Sequence, residues 1–158
     1  MTPQQFINKW RPVALTERAT AQSHFNDLCA LFGHEDPITA DPLGEWFTFE
    51  KGVTKTGGGE GFADVWKKGF FAWEYKKKKR NLDEALGQLV RYAAALENPP
   101  LQVACDTNKF LIRTAWTNAV PKLTSCRSTI WSIRSSCRSF GQFSLTQKSC
   151  GPRKRVRD

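Results

Sequence analysis

The sequence predicts an α/β domain, a small mixed sheet flanked by two helices. Three observations carry that prediction. A helical segment with a capping residue at Thr16 and a stop at Gly33 precedes the strands. An alternating aromatic and β-branched hairpin runs from Phe62 to Lys76. A second helix opens at Asn81 and is followed by short apolar strands.

Each element has its own signal. Thr2 is an N-cap followed by Pro3 at the first helical position, so a short helix runs to about Trp10 and ends before Pro12. Thr16 caps the next helix, with Glu17 in its first turn, Gly33 as its stop and Leu15, Phe25, Leu28 and Phe32 as its apolar face. His34 to Gly44 is rich in Asp, Pro and Gly and reads as a loop. Glu45–Lys51 reads as a strand and Thr56–Gly61 as a flexible Gly-rich loop. Phe62–Trp66 and Phe70–Lys76 are strands joined by Lys67, Lys68 and Gly69. Leu82–Glu97 is a helix with Asn81 as cap, closed by Asn98, Pro99 and Pro100. Strands near Leu101–Cys105 and Phe110–Thr117 finish the pattern.

Length and charge set the bounds. A chain of 158 residues holds one domain with one modest core. The net charge of +9 suggests a phosphate-bearing partner, but it is unevenly spread. Residues 1–122 carry 16 Lys/Arg against 14 Asp/Glu, whereas residues 123–158 carry eight Lys/Arg against Asp158 alone. Residues 123–158 also hold eight serines, against Ser23 alone in residues 1–122, and read as a separate basic Ser/Arg-rich tail, disordered by composition. A shifted reading frame beginning near Leu123 is the sharper explanation. Restoring one nucleotide lets the run from Thr124 be re-read with acidic residues and a helical Leu spacing. The cysteines (Cys29, Cys105, Cys126, Cys137 and Cys150) form no CxxC pair, so neither zinc nor a disulfide framework is indicated. The chain shows no membrane-spanning run and no signal peptide, which points to the cytoplasm.

The hairpin carries the chemistry. With Lys67–Gly69 as the loop, Trp66 faces Phe70 and Asp64 faces Ala72. Side chains alternate with period two, so Asp64, Ala72, Glu74 and Lys76 share one face, while Val65, Phe71, Trp73 and Tyr75 share the other. Glu74 then lies diagonal to Asp64, about 7–8 Å away at the backbone, within reach of one metal. Two carboxylates suit Mg²⁺ or Mn²⁺, and a lysine two residues past the glutamate can orient or deprotonate a water.

Asp64-x9-Glu74-Tyr75-Lys76 resembles the PD-(D/E)xK nuclease motif, with Ala63 where its proline usually stands. Gln88-x3-Tyr92 resembles the Q-x3-Y element of RecB-type members, which implies site roles for Gln88 and Tyr92. Glu17 matches the extra acidic metal ligand such folds often contribute from a preceding helix. Thr16–Cys29, Gly61–Lys67 and Leu86–Tyr92 together are similar to the N-terminal nuclease domain of MmeI-like restriction–modification enzymes. Those enzymes join a nuclease, an adenine-N6 methyltransferase and a target-recognition domain in one chain.

The resemblance covers nearly all of residues 1–122 and implies a metal-dependent endonuclease acting on double-stranded DNA. It implies catalytic roles for Asp64, Glu74 and Lys76, with Gln88 and Tyr92 beside them, and methyltransferase and target-recognition domains as partners. The alternative is a non-catalytic remnant that keeps the fold as a DNA-binding or partner module. No S-adenosylmethionine site is expected. The Phe-x-Gly-x-Gly loop is missing, and Asn98-Pro99-Pro100-Leu101 ends in leucine, which cannot stack a flipped base as an aromatic ring would. Thr56–Gly61 lacks the Gly-Lys-Ser/Thr of a P-loop. For Lys77–Arg80 a solvated strand end and a phosphate contact weigh about equally, and His24 reads as a packing residue.

Overall fold

A computed structural model describes residues 1–14, 17–54 and 59–127, the side chains of residues 17 and 18 excepted. The elements in order are α1 (Pro3–Trp10), α2 (Glu17–Phe32), α3 (Pro37–Ala40), β1 (Phe47–Thr54), β2 (Glu60–Lys67), β3 (Phe71–Tyr75), α4 (Leu82–Tyr92), β4 (Leu101–Cys105), β5 (Lys109–Thr114) and β6 (Lys122–Arg127). The strands form one six-stranded sheet in sequence order. Every neighbouring pair is antiparallel except β3 and β4, which run parallel because α4 crosses between them. This is the α/β fold expected, a mixed sheet flanked by helices.

Local chemistry accounts for the helix ends. Thr2 and Gln5 form a reciprocal capping box at the start of α1, a step beyond the single cap expected. At its other end the Lys78 ammonium donates to the carbonyls of Trp10 and Arg11 at 3.3 and 3.0 Å. A cation at a helix C-terminus meets carbonyls that have no partner within the helix. The expected Thr16 cap lies outside the described residues. Gly33, at φ 71°, takes the left-handed conformation that stops α2. Phe25 and Leu28 are buried as expected, but Phe32 is 43% exposed and does not belong to the apolar face. The loop expected at His34–Gly44 contains one helical turn, α3, where Asp36 accepts from the Ile38 and Thr39 amides and Pro37 starts the helix.

The hairpin register differs from the expected one by two residues. The observed pairs are Val65 with Trp73, Trp66 with Ala72 and Lys67 with Phe71. The turn occupies Lys68, Gly69 and Phe70, with the Phe70 amide donating to the Lys67 carbonyl at 3.0 Å and Gly69 at φ 71°. Gly69 stands third in the Lys67–Phe70 turn, where a type II turn needs φ > 0, so the three-residue loop closes one position later than a loop that ends on the glycine. A two-residue slip preserves faces, and Val65, Phe71, Trp73 and Tyr75 share one as expected, with Ala72 on the other. β2 begins at Glu60 and β1 extends to Thr54, both longer than expected.

Downstream, α4 stops at Tyr92 instead of Glu97. The chain then folds through tight turns, with the Asn98 amide reaching back to the Ala93 carbonyl at 2.7 Å. Those turns bring Leu96 into the core, where its carbonyl accepts from the Trp66 indole at 2.9 Å. The last expected strand is shorter, ending at Thr114, and β6 follows it. β6 pairs along its length with β5, so residues 123–127 of the expected tail are strand. Residues 128–158 lie outside the described residues.

Both faces of the sheet are covered. On one, Phe6, Trp10, Phe25 and Leu28 of α1 and α2 pack against Phe47, Val65, Tyr75, Val103 and Phe110. On the other, Leu89 and Leu96 pack on Ala63, Trp66 and Ala72, and Leu82, Ala85 and Leu86 pack on Ala104 and Leu111. The alternation breaks beside Asp64. Phe47 and Val65 belong to the first face, while Val53 and Ala63 belong to the second. Glu50, the β1 residue in phase with Asp64, has φ 50°, where a non-glycine residue is uncommon. The sheet is therefore bent where β2 delivers its carboxylate.

Candidate metal centre on the β2–β3 hairpin

Three strand positions build the site. The ladder between β2 and β3 ends at Val65 and Trp73, one step before Asp64 and Glu74. Ala72, the residue expected opposite Asp64, pairs instead with Trp66. Asp64 Oδ2 accepts the Tyr75 amide proton at 2.6 Å. That bond replaces a ladder contact with a carboxylate contact and ties one donor to the strand that carries the other.

Glu74 is 5% exposed, yet it sits among small neighbours. Its partner on β4 is Ala104, and Ala85 and Leu86 of α4 lie over that alanine. Small residues let α4 come close enough for Gln88 Nε2 to donate to Glu74 Oε1 at 3.3 Å. The same oxygen accepts from Lys76 Nζ at 2.8 Å, and the Lys76 side chain keeps a quarter of its surface exposed. Lys76 follows the end of β3, where its amide donates to the Cys105 carbonyl at 2.8 Å. A buried carboxylate is costly unless a charge and hydrogen bonds compensate it, and both are supplied here.

Glu74, Lys76 and Gln88 thus come together, and Asp64 is tied to the amide of Tyr75, the residue between Glu74 and Lys76. Tyr92, one turn beyond Gln88, is half-buried against the Trp66 and Leu89 cluster. A Cβ added to Gly61 would meet the Tyr92 ring and hydroxyl at 3.0 Å, so the phenol lies directly on the β2 backbone. Glu17 is the first residue of α2, and its side chain lies outside the described residues. The loop residues 55–58 are outside them too.

The donor set can be compared with the ion it would hold. Among the described residues no group of three or more His, Cys, Asp or Glu is close enough to share a metal. Two carboxylates alone do not suit Zn²⁺ or a Ca²⁺ cage, but they suit Mg²⁺ or Mn²⁺, which keeps several waters. The residues present fit such an ion.

His24 is the residue that sequence reasoning undervalued. It is fully buried, as a packing residue should be, with its ring among Phe6, Trp10 and Tyr75. Its Nδ1 lies 2.8 Å from the Tyr75 hydroxyl. Burial pushes its pKa down to about 3, against smaller opposing contributions from a Thr107 backbone hydrogen bond and the charge of Asp27. Burial also raises the Tyr75 phenol well above its ordinary value. The signal in the sequence was slight, a polar residue in phase with Phe25 and Leu28 on an apolar stripe. Among Lys76–Arg80, Lys76 pairs with Glu74 and Lys78 caps α1, while Lys79 and Arg80 are exposed. Cys29 and Cys105 are buried free thiols, and burial raises Cys29 to about 11.

A family model described as the N-terminal domain of MmeI matches residues 1–125. That span ends within β6. No curated protein matches the sequence. Three chains of solved structures match, among them one from the cryo-EM structure of a DrdV–DNA complex, at 13% identity with a TM-score of 0.54. That match takes in 89% of this chain and 14% of the other, and the likeness is one of fold. Among the described residues no helix is long and apolar enough to cross a membrane.

Proposed function

The chain belongs to the family of MmeI N-terminal domains, and from that premise we propose that it is a metal-dependent nuclease domain acting on double-stranded DNA. The observation that carries the reading is the buried Glu74 held by Lys76 and by Gln88 of α4, with Asp64 bonded to the backbone amide between Glu74 and Lys76. Support also comes from the fold likeness to a protein solved in complex with DNA. This chain spans 14% of that one, so we further propose that the domain works as part of a longer methyltransferase–nuclease that supplies target recognition.

Asp64 and Glu74 would hold Mg²⁺ or Mn²⁺, which when bound stabilises negative charge on the scissile phosphate and lowers the pKa of a water. The chain's own residues do the rest. Lys76, anchored on Glu74 and open on its outer side, reaches a water or a non-bridging phosphate oxygen. Gln88 fixes the Glu74 carboxylate so that its second oxygen keeps one orientation. Exposed Lys79 and Arg80 lie within four residues of Lys76 and supply sequence-independent attraction for the phosphate backbone.

Nicking of supercoiled plasmid by the full chain in Mg²⁺ or Mn²⁺ tests the reading. Glu74→Ala and Lys76→Ala should each lower the rate at least about 100-fold, in line with the loss of one electrostatic stabiliser. Metal-independent nicking, or nicking unaffected by either change, would overturn it. A chain that binds duplex DNA but does not cut it would instead be a non-catalytic module with the nuclease fold.

A further inference from the structure

We infer that Tyr75 and His24 are positioning residues that set Asp64 from the opposite face of the sheet. The inference rests on the metal-site reading above and adds two residues that touch neither a metal nor DNA.

One residue links the two faces. Tyr75 lies between Glu74 and Lys76, and its own side chain points to the α1–α2 face. Its amide donates to Asp64 Oδ2 at 2.6 Å, so the backbone of Tyr75 holds the first carboxylate directly. Its hydroxyl, 1% exposed with the rest of the residue, lies 2.8 Å from His24 Nδ1. The His24 ring is wedged between Phe6 and Trp10, with centroids at 5.1 and 4.9 Å. A phenol fixed at its tip and packed along its ring cannot rotate, so the strand cannot roll about that position. Roll of β3 at Tyr75 would swing the amide away from Asp64 and turn Glu74 and Lys76 with it.

α1 completes the clamp. Trp10 donates its indole proton to Asp27 Oδ2 at 2.8 Å, and Lys9 pairs with the same oxygen at 2.6 Å. Lys78, two residues past Lys76, donates to the last carbonyls of α1. The strand exit that carries Lys76 is thus fastened to the helix that confines His24. Outer groups that orient metal ligands are worth roughly 10–100-fold in metal affinity.

Two readouts on the full chain test the inference, Mn²⁺ affinity by calorimetry and the hydrogen-exchange rate of the residue-75 amide. Tyr75→Phe removes one oxygen and leaves the ring. It should weaken Mn²⁺ binding by about 10-fold and speed exchange at residue 75 to a similar extent. His24→Leu should do the same, and the double variant should be no worse than either. His24→Asn restores an acceptor near the Nδ1 position and should recover most of both effects. Unchanged exchange at residue 75 in Tyr75→Phe overturns the inference, whatever the metal does. Failure of the wild type to bind Mn²⁺ overturns the metal-site reading instead, and the exchange rates still decide whether the pair holds the amide on Asp64.

Discussion

On the α1–α2 face of the sheet aromatic rings interlock, whereas on the α4 face alanines and leucines leave room for a carboxylate, a lysine and a glutamine. Phe25 alone meets Phe47, Phe49, Phe71 and Trp73 at ring-centroid distances between 5.4 and 6.2 Å. Glu74, on the same strand as Phe71 and Trp73, has Ala104 beside it and Gln88 above it. The first face is packed ring on ring, with the His24–Tyr75 bond as a buried polar contact. The second gives up apolar burial near Glu74 and holds a carboxylate with its lysine and glutamine.

The largest expected effect probes the aromatic face. Phe25→Ala should cost about 3–5 kcal/mol in urea denaturation, because four rings lose a common partner and the cavity cannot collapse around them. A cost near that of an exposed residue would mean that the face is loosely packed. Acid comes next. His24 is held down at about 3, so the unfolded chain binds the extra proton between that value and its ordinary 6.5. Its contribution to stability is present above pH 6.5 and is lost as pH falls toward 3. Lowering the pH from 7 to 5 should cost about 2 kcal/mol through this group, and His24→Asn should flatten that part of the profile. The Tyr75 hydroxyl and the charges of Asp27, Lys78 and Lys9 face the imidazole.

Smaller effects sharpen the contrast from the other side. Glu74→Gln keeps the shape but removes the counter-charge that Glu74 gives the three-quarters-buried Lys76, so it should cost about 1–3 kcal/mol while metal-dependent nicking is lost. Equal loss of stability on the two faces would erase the distinction between them. Lys78→Met should cost about 0.3–1 kcal/mol, the value of one cation at a helix C-terminus, read from the shift in the thermal midpoint.

The legible parts of the sequence were those with short-range chemistry. Thr2 with Pro3, Asn81 as a cap and Gly33 as a stop each work within one turn, so helix starts were readable. The faces of Val65, Ala72, Trp73 and Tyr75 were readable because side-chain direction has period two and survives a two-residue slip, whereas the break in alternation beside Asp64 was not. The register was not, since Gly69 fits the hairpin loop in either of two positions. The end of α4 at Tyr92 was hidden because Ala93, Ala94 and Ala95 favour helix and yield only to the burial of Leu96. The His24–Tyr75 bond spans 51 residues and leaves no local trace. β6 was hidden by composition: its residues are mostly exposed, and their pairing with β5 is made by the backbone.

The central claim is that Asp64 and Glu74 act as one ion-binding pair. The most direct measurement is the thermal midpoint of the full chain with and without Mn²⁺, for the wild type and for Asp64→Asn and Glu74→Gln. An ion that binds the folded chain alone raises its stability, by about 2.7 kcal/mol at 100 times its dissociation constant. The account predicts a Mn²⁺-dependent rise in the wild type that either substitution removes. The same rise in both variants, or none in the wild type, would contradict it.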